Sequence, residues 1–274
     1  MDIISNRTYA NLMRMIWLVF SIILTSCASY EKVQDKDLVV LPRAKNVSLS
    51  EKTIHPNFVK STDSEIRVGF IERGKIQSFD QFKEFKNVTF IQTGDDVIPT
   101  YVRDFKGNLS EIESPTPYQY ETHAEAVLFT FLKSLHTSKK VTIYSCSLGT
   151  SRDRELAPEE KCWNWMKENN VQAINISYEV LYLTRSEKQT ILSLISNQVV
   201  ITNAAGNDAE IAAGLCTFDN IYCVGALMDN KPAKYSNFGP LINVWEDGDV
   251  QWKGHLVRGT SISAPRYLGK KLSD

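Results

Sequence analysis

From residue 65 onward, short apolar segments typical of β-strands alternate with segments that have helical signals. The predicted strands cover residues 66–71, 88–91, 141–144, 171–176, 199–205 and 221–227. The predicted helices cover residues 124–135, 158–168 and 186–196, the last opened by a capping-box pattern at 186–189. This alternation predicts an α/β fold with three layers, a mostly parallel sheet flanked by helices. Sites in such sheets lie at the C-terminal ends of the strands.

Composition and charge exclude several classes of protein. The 274 residues are 43% hydrophobic and 23% charged, as in ordinary globular proteins, which excludes a fibrous or disordered chain. The chain has 31 Lys and Arg residues against 32 Asp and Glu residues, a net charge of −1. Without a basic excess there is no electrostatic footprint for nucleic acid, so we expect no nucleic-acid partner. The sequence does not indicate an oligomeric state.

The N-terminus has the pattern of an export signal. The apolar run at residues 15–25 is eleven residues long, whereas a spanning helix needs about 20. Arg7 and Arg14 precede it, as in a signal peptide. Residues 24–27, LTSC, resemble a bacterial lipobox, which implies cleavage before Cys27 and lipid attachment to its thiol. We therefore expect an exported, membrane-anchored lipoprotein of a bacterial cell envelope. The alternative is a buried apolar segment with an incidental cysteine.

This signal gives a three-part organisation. Residues 1–26 form the predicted lipoprotein signal peptide, and residues 27–64 form a polar tether. Within the tether, residues 38–41 fit a short strand. Residues 65–274 form the α/β domain.

Four cysteines remain after Cys27, and an even number in an oxidising compartment predicts two disulfides. They are Cys146, Cys162, Cys216 and Cys223. Local pairing of the first two and of the last two is the simplest of three connectivities, and four buried free thiols are the alternative. The sequence has no CxxC or HxxxH spacing, so we expect no zinc site. We expect no cofactor, with calcium as an alternative for which no site can be assigned.

Near the C-terminus, residues 259–265 read GTSISAP. Small residues around Ser261 allow a sharp turn and close approach of a substrate. A serine that opens a helix also has the positive end of the helix dipole behind it, which favours developing negative charge. Taken alone, the segment fits equally well a loop whose serine caps a helix.

Two further segments supply partners for this serine. The predicted strand at 199–205 leads into Asn207, whose amide can donate a hydrogen bond to an oxyanion. Taken alone, Asn207 also fits a turn residue before Asp208. Of the four histidines, His123 opens a predicted helix from which its ring can project, which makes it the best candidate for a general base. The alternative is a solvated histidine at a helix start.

Together these segments resemble the subtilisin-like serine proteases, or subtilases, over residues 66–268 and in the family's order. The matching segments are HAEAVL at 123–128, AINIS at 173–177, AAGN at 204–207, IYCVGA at 221–226, YSNFGP at 235–240 and GTSISAP at 259–265. The resemblance implies that residues 65–274 are a peptidase domain in which Ser261 is the nucleophile, His123 the base and Asn207 the oxyanion donor. It also implies that the substrate lies along Ser177, Tyr178, Glu179, Ala204, Ala205 and Gly206.

The acidic member of the triad departs from the family, whose first motif is a strand followed by Asp-Ser/Thr-Gly. Residues 68–74 place Glu72 at the Asp position, and residues 88–94 place Gln92 there instead. We favour Glu72, with Asp95 or Asp96 as a minor alternative. A Glu at this position is expected to be ionised at neutral pH, like Asp.

Two other departures concern specificity and stability. Tyr178 and Glu179 replace small residues, so we expect a different specificity pocket. Residues 266–271 are polar and short where the family has a long apolar helix, so we expect the nucleophile to be held less firmly. The function that the sequence favours is a lipid-anchored serine endopeptidase acting on peptide or protein substrates through an acyl-enzyme. The alternative is a catalytically weak or inactive protein of this fold that serves as a binding or scaffold lipoprotein.

Overall fold

The computed structural model describes residues 38–41, 64–94, 101–103, 109–111, 117–148 and 157–273. The predicted signal peptide, Cys27, and Asp95 and Asp96 lie outside these described residues. The predictions made for them are therefore neither supported nor opposed by the structure.

A predominantly parallel sheet forms the centre of the domain, as the alternation of the sequence predicts. Its strands are β2 (Glu65–Glu72), β3 (Val88–Gly94), β6 (Lys140–Ser147), β7 (Ala173–Ile176), β9 (Val200–Ala204), β10 (Ile221–Met228), β11 (Lys231–Pro232) and β12 (Val244–Asp247). They are ordered β11-β10-β9-β7-β2-β6-β3, and β12 also pairs with β10, in parallel. All pairings are parallel except that of β10 with the short β11.

Short pairs of strands and four helices complete the described structure. The remaining strands are β1 (Leu38–Val40), β4 (Tyr101–Arg103), β5 (Leu109–Glu111), β8 (Tyr182–Thr184), β13 (Asp249–Trp252) and β14 (His255–Arg258). The helices are α1 (Pro117–Ser134), α2 (Ala157–Glu168), α3 (Arg185–Ser196) and α4 (Thr260–Leu272). Residues Asp80–Phe82 and Gly214–Thr217 form 3-10 turns. None of the described helices is both long and apolar enough to cross a membrane.

The two faces of the sheet are covered by different helices, because alternate residues of a strand point to opposite sides. On β2, Val68 and Phe70 belong to one core with α1 and α4, which supply Phe131 and Leu268. Ile71 belongs to a second core with α2 and α3. Because both faces are covered, the central strands β2, β7 and β9 are buried almost throughout and most of their residues are apolar.

The helix that carries the serine motif is firmly packed, contrary to our expectation for residues 266–271. In α4, Ile262, Leu268 and Leu272 are buried, which gives the helix an apolar face despite its polar residues. A Cβ at Gly269 would lie 2.7 Å from the carbonyl oxygen of Phe131, so this glycine allows α4 to approach α1 closely. The sequence prediction missed the helical period because three of these residues in a row, at 269–271, are charged or small.

Two helix starts also differ from the predictions. Helix α1 begins at Pro117, seven residues before the predicted start, so His123 lies in its second turn and does not open it. The capping box of α3 is formed by Thr184 and Glu187, two residues earlier than predicted, with reciprocal hydrogen bonds of 3.0 and 2.6 Å. Glu187 is buried, whereas Ser186 and Gln189 of the predicted box are exposed. The helix therefore begins at Arg185, one residue earlier than predicted and directly after β8.

The strand predicted at 38–41 is present as β1, which pairs antiparallel with β8. Leu41 is buried in the second core, so this part of the predicted tether is attached to the domain. Both disulfides are present with the local pairing that the sequence favoured, Cys146 with Cys162 and Cys216 with Cys223.

Candidate active site

The residues singled out in the sequence meet at the C-terminal edge of the sheet. Glu72 is the last residue of β2, Ser177 directly follows β7, and Asn207 lies three residues beyond β9. Because these strands are parallel, their C-terminal ends lie at the same edge. Helices α1 and α4 add His123 and Ser261 from the face of the sheet that they cover.

His123 and Ser261 form a direct hydrogen-bonded pair. The Nε2 atom of His123 lies 2.9 Å from the Oγ atom of Ser261. Ser261 is the second residue of α4 and is 5% exposed, so its hydroxyl lies at the positive end of the helix dipole and largely out of water. With Nδ1 protonated, Nε2 accepts the serine proton, which is the geometry of a nucleophile beside its general base.

Glu72 lies on the other side of the imidazole. Its Oε2 atom is 3.7 Å from Nδ1 of His123, and the residue is 3% exposed. Glu72 follows Phe70 by two positions on β2, so its side chain faces the same side of the sheet as helix α1. Among the described residues, its Oε1 atom has no hydrogen-bond partner.

Burial shifts the pKa values of this pair in opposite directions. Desolvation raises the pKa of Glu72 to about 8, although contacts with Ser177 and the charge of Arg73 partly oppose the shift. Desolvation lowers the pKa of His123, and the positive charge of Arg73 lowers it further. Because 33% of the His123 side chain is exposed, water reduces this shift. At neutral pH the free site therefore holds a mostly protonated Glu72 beside a neutral imidazole. Our expectation that Glu72 is ionised at neutral pH is wrong, because the carboxyl is buried without enough hydrogen bonds to offset desolvation.

Gln92, the other candidate for the acid position, has a different function in the structure. Its side-chain amide accepts a hydrogen bond from the backbone N–H of Ile76 at 3.0 Å and donates one to the Ile76 carbonyl at 2.9 Å. Gln92 thus pairs with the backbone of the loop after β2, and the structure places Glu72 beside His123.

Asn207 is oriented toward the nucleophile by Thr260. The Oδ1 atom of Asn207 accepts hydrogen bonds from the backbone N–H and the hydroxyl of Thr260, at 2.9 and 3.1 Å. Because Oδ1 is held in this way, the amide orientation is fixed and its Nδ2 group remains available as a donor. Thr260 also accepts a hydrogen bond from the N–H of Gly206 at 3.2 Å, which ties the loop after β9 to the start of α4.

The space between nucleophile and amide exists only because residue 259 is glycine. A Cβ at Gly259 would lie 3.0 Å from Oγ of Ser261 and 3.3 Å from Nδ2 of Asn207. Both groups therefore approach one point, which a side chain at residue 259 would occupy. The φ angle of +150° at Gly259 further disfavours other residues.

The candidate substrate residues form two neighbouring stretches. Ser177 is buried and accepts a 2.8 Å hydrogen bond from the side-chain amide of Asn175. Asn203 joins the two stretches by donating to the carbonyl of Tyr178 at 2.8 Å. The residues on the facing stretch, Ala204 and Ala205, are small and buried.

Tyr178 is part of a polar cluster next to this site. Its hydroxyl donates to Glu159 at 2.8 Å, and the Arg73 guanidinium lies 5.2 Å from the centre of its ring. Desolvation raises the pKa values of both Tyr178 and Glu159, so the pair is held in its neutral, hydrogen-bonded form more strongly than in water. The cluster gives the Tyr178 side chain a fixed position.

Sequence reasoning missed several supporting residues. Thr260 and Asn237 lie inside segments whose resemblance was recognised, and the motifs themselves were the available signal. Asn203 and Glu159 gave no signal, because their partners are distant in sequence. Among the described residues there is no cluster of three His, Cys, Asp or Glu side chains suited to a metal ion.

Solved structures with a similar fold are subtilisin-like serine proteases. A cold-adapted subtilisin-like serine proteinase matches with a TM-score of 0.52 and 17% identity, covering 80% of this chain and 79% of that chain. A lanthipeptide protease matches with a TM-score of 0.52 and 16% identity, covering 76% and 72%. The epidermin leader peptide processing serine protease of Staphylococcus aureus matches with a TM-score of 0.52 and 15% identity, covering 76% and 65%. At this identity the likeness shows a subtilisin-like fold, which confirms the predicted fold class.

No protein-family model and no curated protein matches the sequence.

Proposed function

We propose that this protein is a serine endopeptidase that hydrolyses peptide bonds through an acyl-enzyme intermediate. The observation that carries the proposal is the 2.9 Å contact between Nε2 of His123 and Oγ of Ser261 at the N-terminus of α4. Supporting it, the Asn207 amide is fixed beside the same serine by Thr260. A nucleophile, a base and an oxyanion donor that converge on one point are the parts that acyl transfer requires.

The first half of the reaction forms the acyl-enzyme. Oγ of Ser261 attacks the peptide carbonyl carbon while its proton moves to Nε2 of His123. The negative charge that develops on the carbonyl oxygen is stabilised by Nδ2 of Asn207 and the N–H of Ser261. The C–N bond then breaks, and His123 gives its proton to the departing amine.

The second half returns the enzyme to its starting state. Water gives a proton to Nε2 and attacks the acyl carbon, and the C–O bond to Ser261 breaks as the proton passes back to Oγ. Throughout, Glu72 orients the ring by accepting Nδ1–H and stabilises the positive charge that forms on the imidazole. This function needs an ionised Glu72 and a contact shorter than the 3.7 Å of the free site, as catalytic hydrogen bonds often tighten when substrate binds.

The test is hydrolysis of an internally quenched peptide library by the purified domain. We expect turnover by the wild type and a loss of about 10⁶-fold in kcat for Ser261→Ala and His123→Ala. The control variant is Ser263→Ala, which removes another serine hydroxyl from the helix that carries Ser261. Wild-type protein that cleaves no peptide between pH 6 and 9.5, with its melting curve intact, would refute the proposal.

We also propose that the enzyme is exported and anchored to a bacterial membrane through lipid on Cys27. The LTSC segment and the short apolar run before it support this location. Expression in a bacterium with fatty-acid labelling should give a lipid-labelled protein, and Cys27→Ala should abolish the label and slow signal removal. Label that persists in Cys27→Ala, or its absence from the wild type, would overturn the anchor.

A second candidate function is a binding or scaffold protein with little activity. The observations that favour it are the separation between Glu72 and His123 and the pKa of about 8 for Glu72, which weaken the base at neutral pH. An inactive scaffold would stay inactive at pH 9, where Glu72 is ionised, whereas the endopeptidase would gain activity there.

A further inference from the structure

We propose that Glu179 makes the enzyme selective for peptides with arginine or lysine immediately before the cleaved bond. The inference rests on the proposed endopeptidase function and names the substrate class of the same site. It starts from the departure that the sequence showed, a Tyr-Glu pair at 178–179 following β7 where subtilases have small residues.

Glu179 faces the stretch that leads to the oxyanion donor. Its Oε1 atom lies 3.3 Å from the position that a Cβ at Gly206 would occupy. Gly206 directly precedes Asn207, so the carboxyl group lies one residue from the amide that would hold the substrate carbonyl. Glu179 is half-buried, which leaves part of its side chain accessible to a ligand.

Gly206 and Asn237 hold this arrangement in place. The side-chain amide of Asn237 donates to the carbonyl of Ala205 at 2.9 Å and lies 3.4 Å from Oε1 of Glu179. Its oxygen accepts from the N–H groups of Asp208 and Glu210, both at 3.0 Å. Asn237 therefore fixes the loop after β9 and positions the carboxyl group against it. A Cβ at Gly206 would clash with Asn237, and its φ of +106° also favours glycine.

The identity of the preferred residue follows from reach and charge. In the proposed mechanism the substrate carbonyl lies between Ser261 and Asn207, and the side chain of the residue that supplies it begins one bond away. The residues of that loop, Ala204, Ala205 and Gly206, have no side chain larger than a methyl group. A long cationic side chain that follows the loop can pair with the carboxyl group of Glu179. An apolar side chain at the same place would displace water from that group and bring no opposite charge to it.

The size of the preference follows from the energy of a charged hydrogen bond. Such a bond in a partly buried site corresponds to a factor of about 10 to 100 in kcat/KM. Arginine gains more than lysine because its planar guanidinium pairs with both carboxylate oxygens.

The experiment compares two fluorogenic peptides that are identical except for arginine or leucine before the cleaved bond. For the wild-type domain we expect a kcat/KM ratio of arginine to leucine of at least 10. In Glu179→Gln, which is similar in shape but uncharged, the ratio should fall by about 10- to 100-fold. The matched control is Glu210→Gln, an exposed carboxyl on the same loop, which should keep the wild-type ratio. Fluorescence titration with p-aminobenzamidine, a cationic probe, should show binding to the wild type and weaker binding to Glu179→Gln without any turnover.

The outcomes separate this inference from the proposed function. Cleavage that favours leucine, or a wild-type ratio that survives in Glu179→Gln, would overturn the specificity and leave the endopeptidase intact. Equal binding of p-aminobenzamidine to the wild type and Glu179→Gln would also overturn it. If neither peptide is cleaved and Ser261 reacts with no active-site probe, both the function and the specificity fail.

Discussion

Ionisation of Glu72 should control the pH dependence of the enzyme. When Glu72 is protonated its O–H can donate to Nδ1 of His123, which places the ring proton on Nε2, the wrong tautomer to accept a proton from Ser261. Only the ionised carboxylate accepts Nδ1–H and supports the base. Activity should therefore follow the ionised fraction of Glu72.

The magnitude follows from the pKa of about 8 that burial gives to Glu72. About a tenth of the groups are ionised at pH 7 and about a hundredth at pH 6. The value of kcat/KM should thus rise about tenfold per pH unit from pH 6 toward 8 and level off above pH 9. In Glu72→Gln this rise should disappear, and kcat should be lower by roughly 10³ to 10⁴ on the plateau.

The assay is hydrolysis of one fluorogenic peptide at subsaturating concentration from pH 5.5 to 9.5, with stability checked at each pH. Glu72→Asp is the informative partner variant, because it keeps the charge and shortens the side chain by one methylene. It should remain much more active than Glu72→Gln. A wild-type profile that is already flat above pH 6.5, or Glu72→Gln with wild-type activity, would refute the assignment of Glu72.

Four other perturbations test separate parts of the structure. Gly259→Ala should reduce kcat by at least about 10², measured with the same peptide, because its Cβ would lie 3.0 Å from Oγ of Ser261. Asn207→Ala should reduce kcat by about 10² to 10³ with little change in KM, as loss of one oxyanion donor does. Between pH 4.5 and about 8, Glu72 keeps its proton in the folded protein, whereas the same carboxyl has lost it in the unfolded chain. The free energy of unfolding should therefore fall by roughly 1 to 2 kcal/mol between pH 6.5 and 8. Urea titrations of Glu72→Gln should not show this fall. Removing the Cys146–Cys162 disulfide, with a sequence separation of 16, by a double Ser variant should cost about 3 kcal/mol in the same titration; an unchanged midpoint would contradict that expectation.

Much of the fold could be predicted from the sequence, because the central strands are buried on both faces and therefore consist mostly of apolar residues. The segment of β2 illustrates this, since its residues are buried almost throughout and its boundaries were nearly correct. The predicted start of α1 was wrong by seven residues, because the apolar period is visible only from Ala124, where the helix meets the core.

The candidate site was likewise only partly predictable from the sequence. Ser261, His123 and Asn207 lie in short motifs whose residue types the chemistry requires, so the sequence was sufficient to choose them. The choice between Glu72 and Gln92 stayed open because each directly follows a predicted apolar strand segment. Only the tertiary contacts of Glu72 with His123 and of Gln92 with Ile76 separate them. The raised pKa of Glu72 depends on burial at the end of β2, and the fixing of Asn207 depends on Thr260, which is 53 residues away.

Reaction with a fluorophosphonate probe tests the central claim most directly, because the probe modifies only a serine activated by its base and an oxyanion site. The measurement is intact mass and peptide mapping of the wild type, Ser261→Ala and Ser263→Ala after exposure at pH 9. Ser263 is a matched control, as it lies two residues further along α4 and donates to the Glu246 carbonyl at 3.0 Å. One adduct on Ser261 in the wild type and in Ser263→Ala, with none in Ser261→Ala, is the predicted result. A wild-type protein that stays folded and unlabelled, or an adduct on another serine, would contradict the proposed active site.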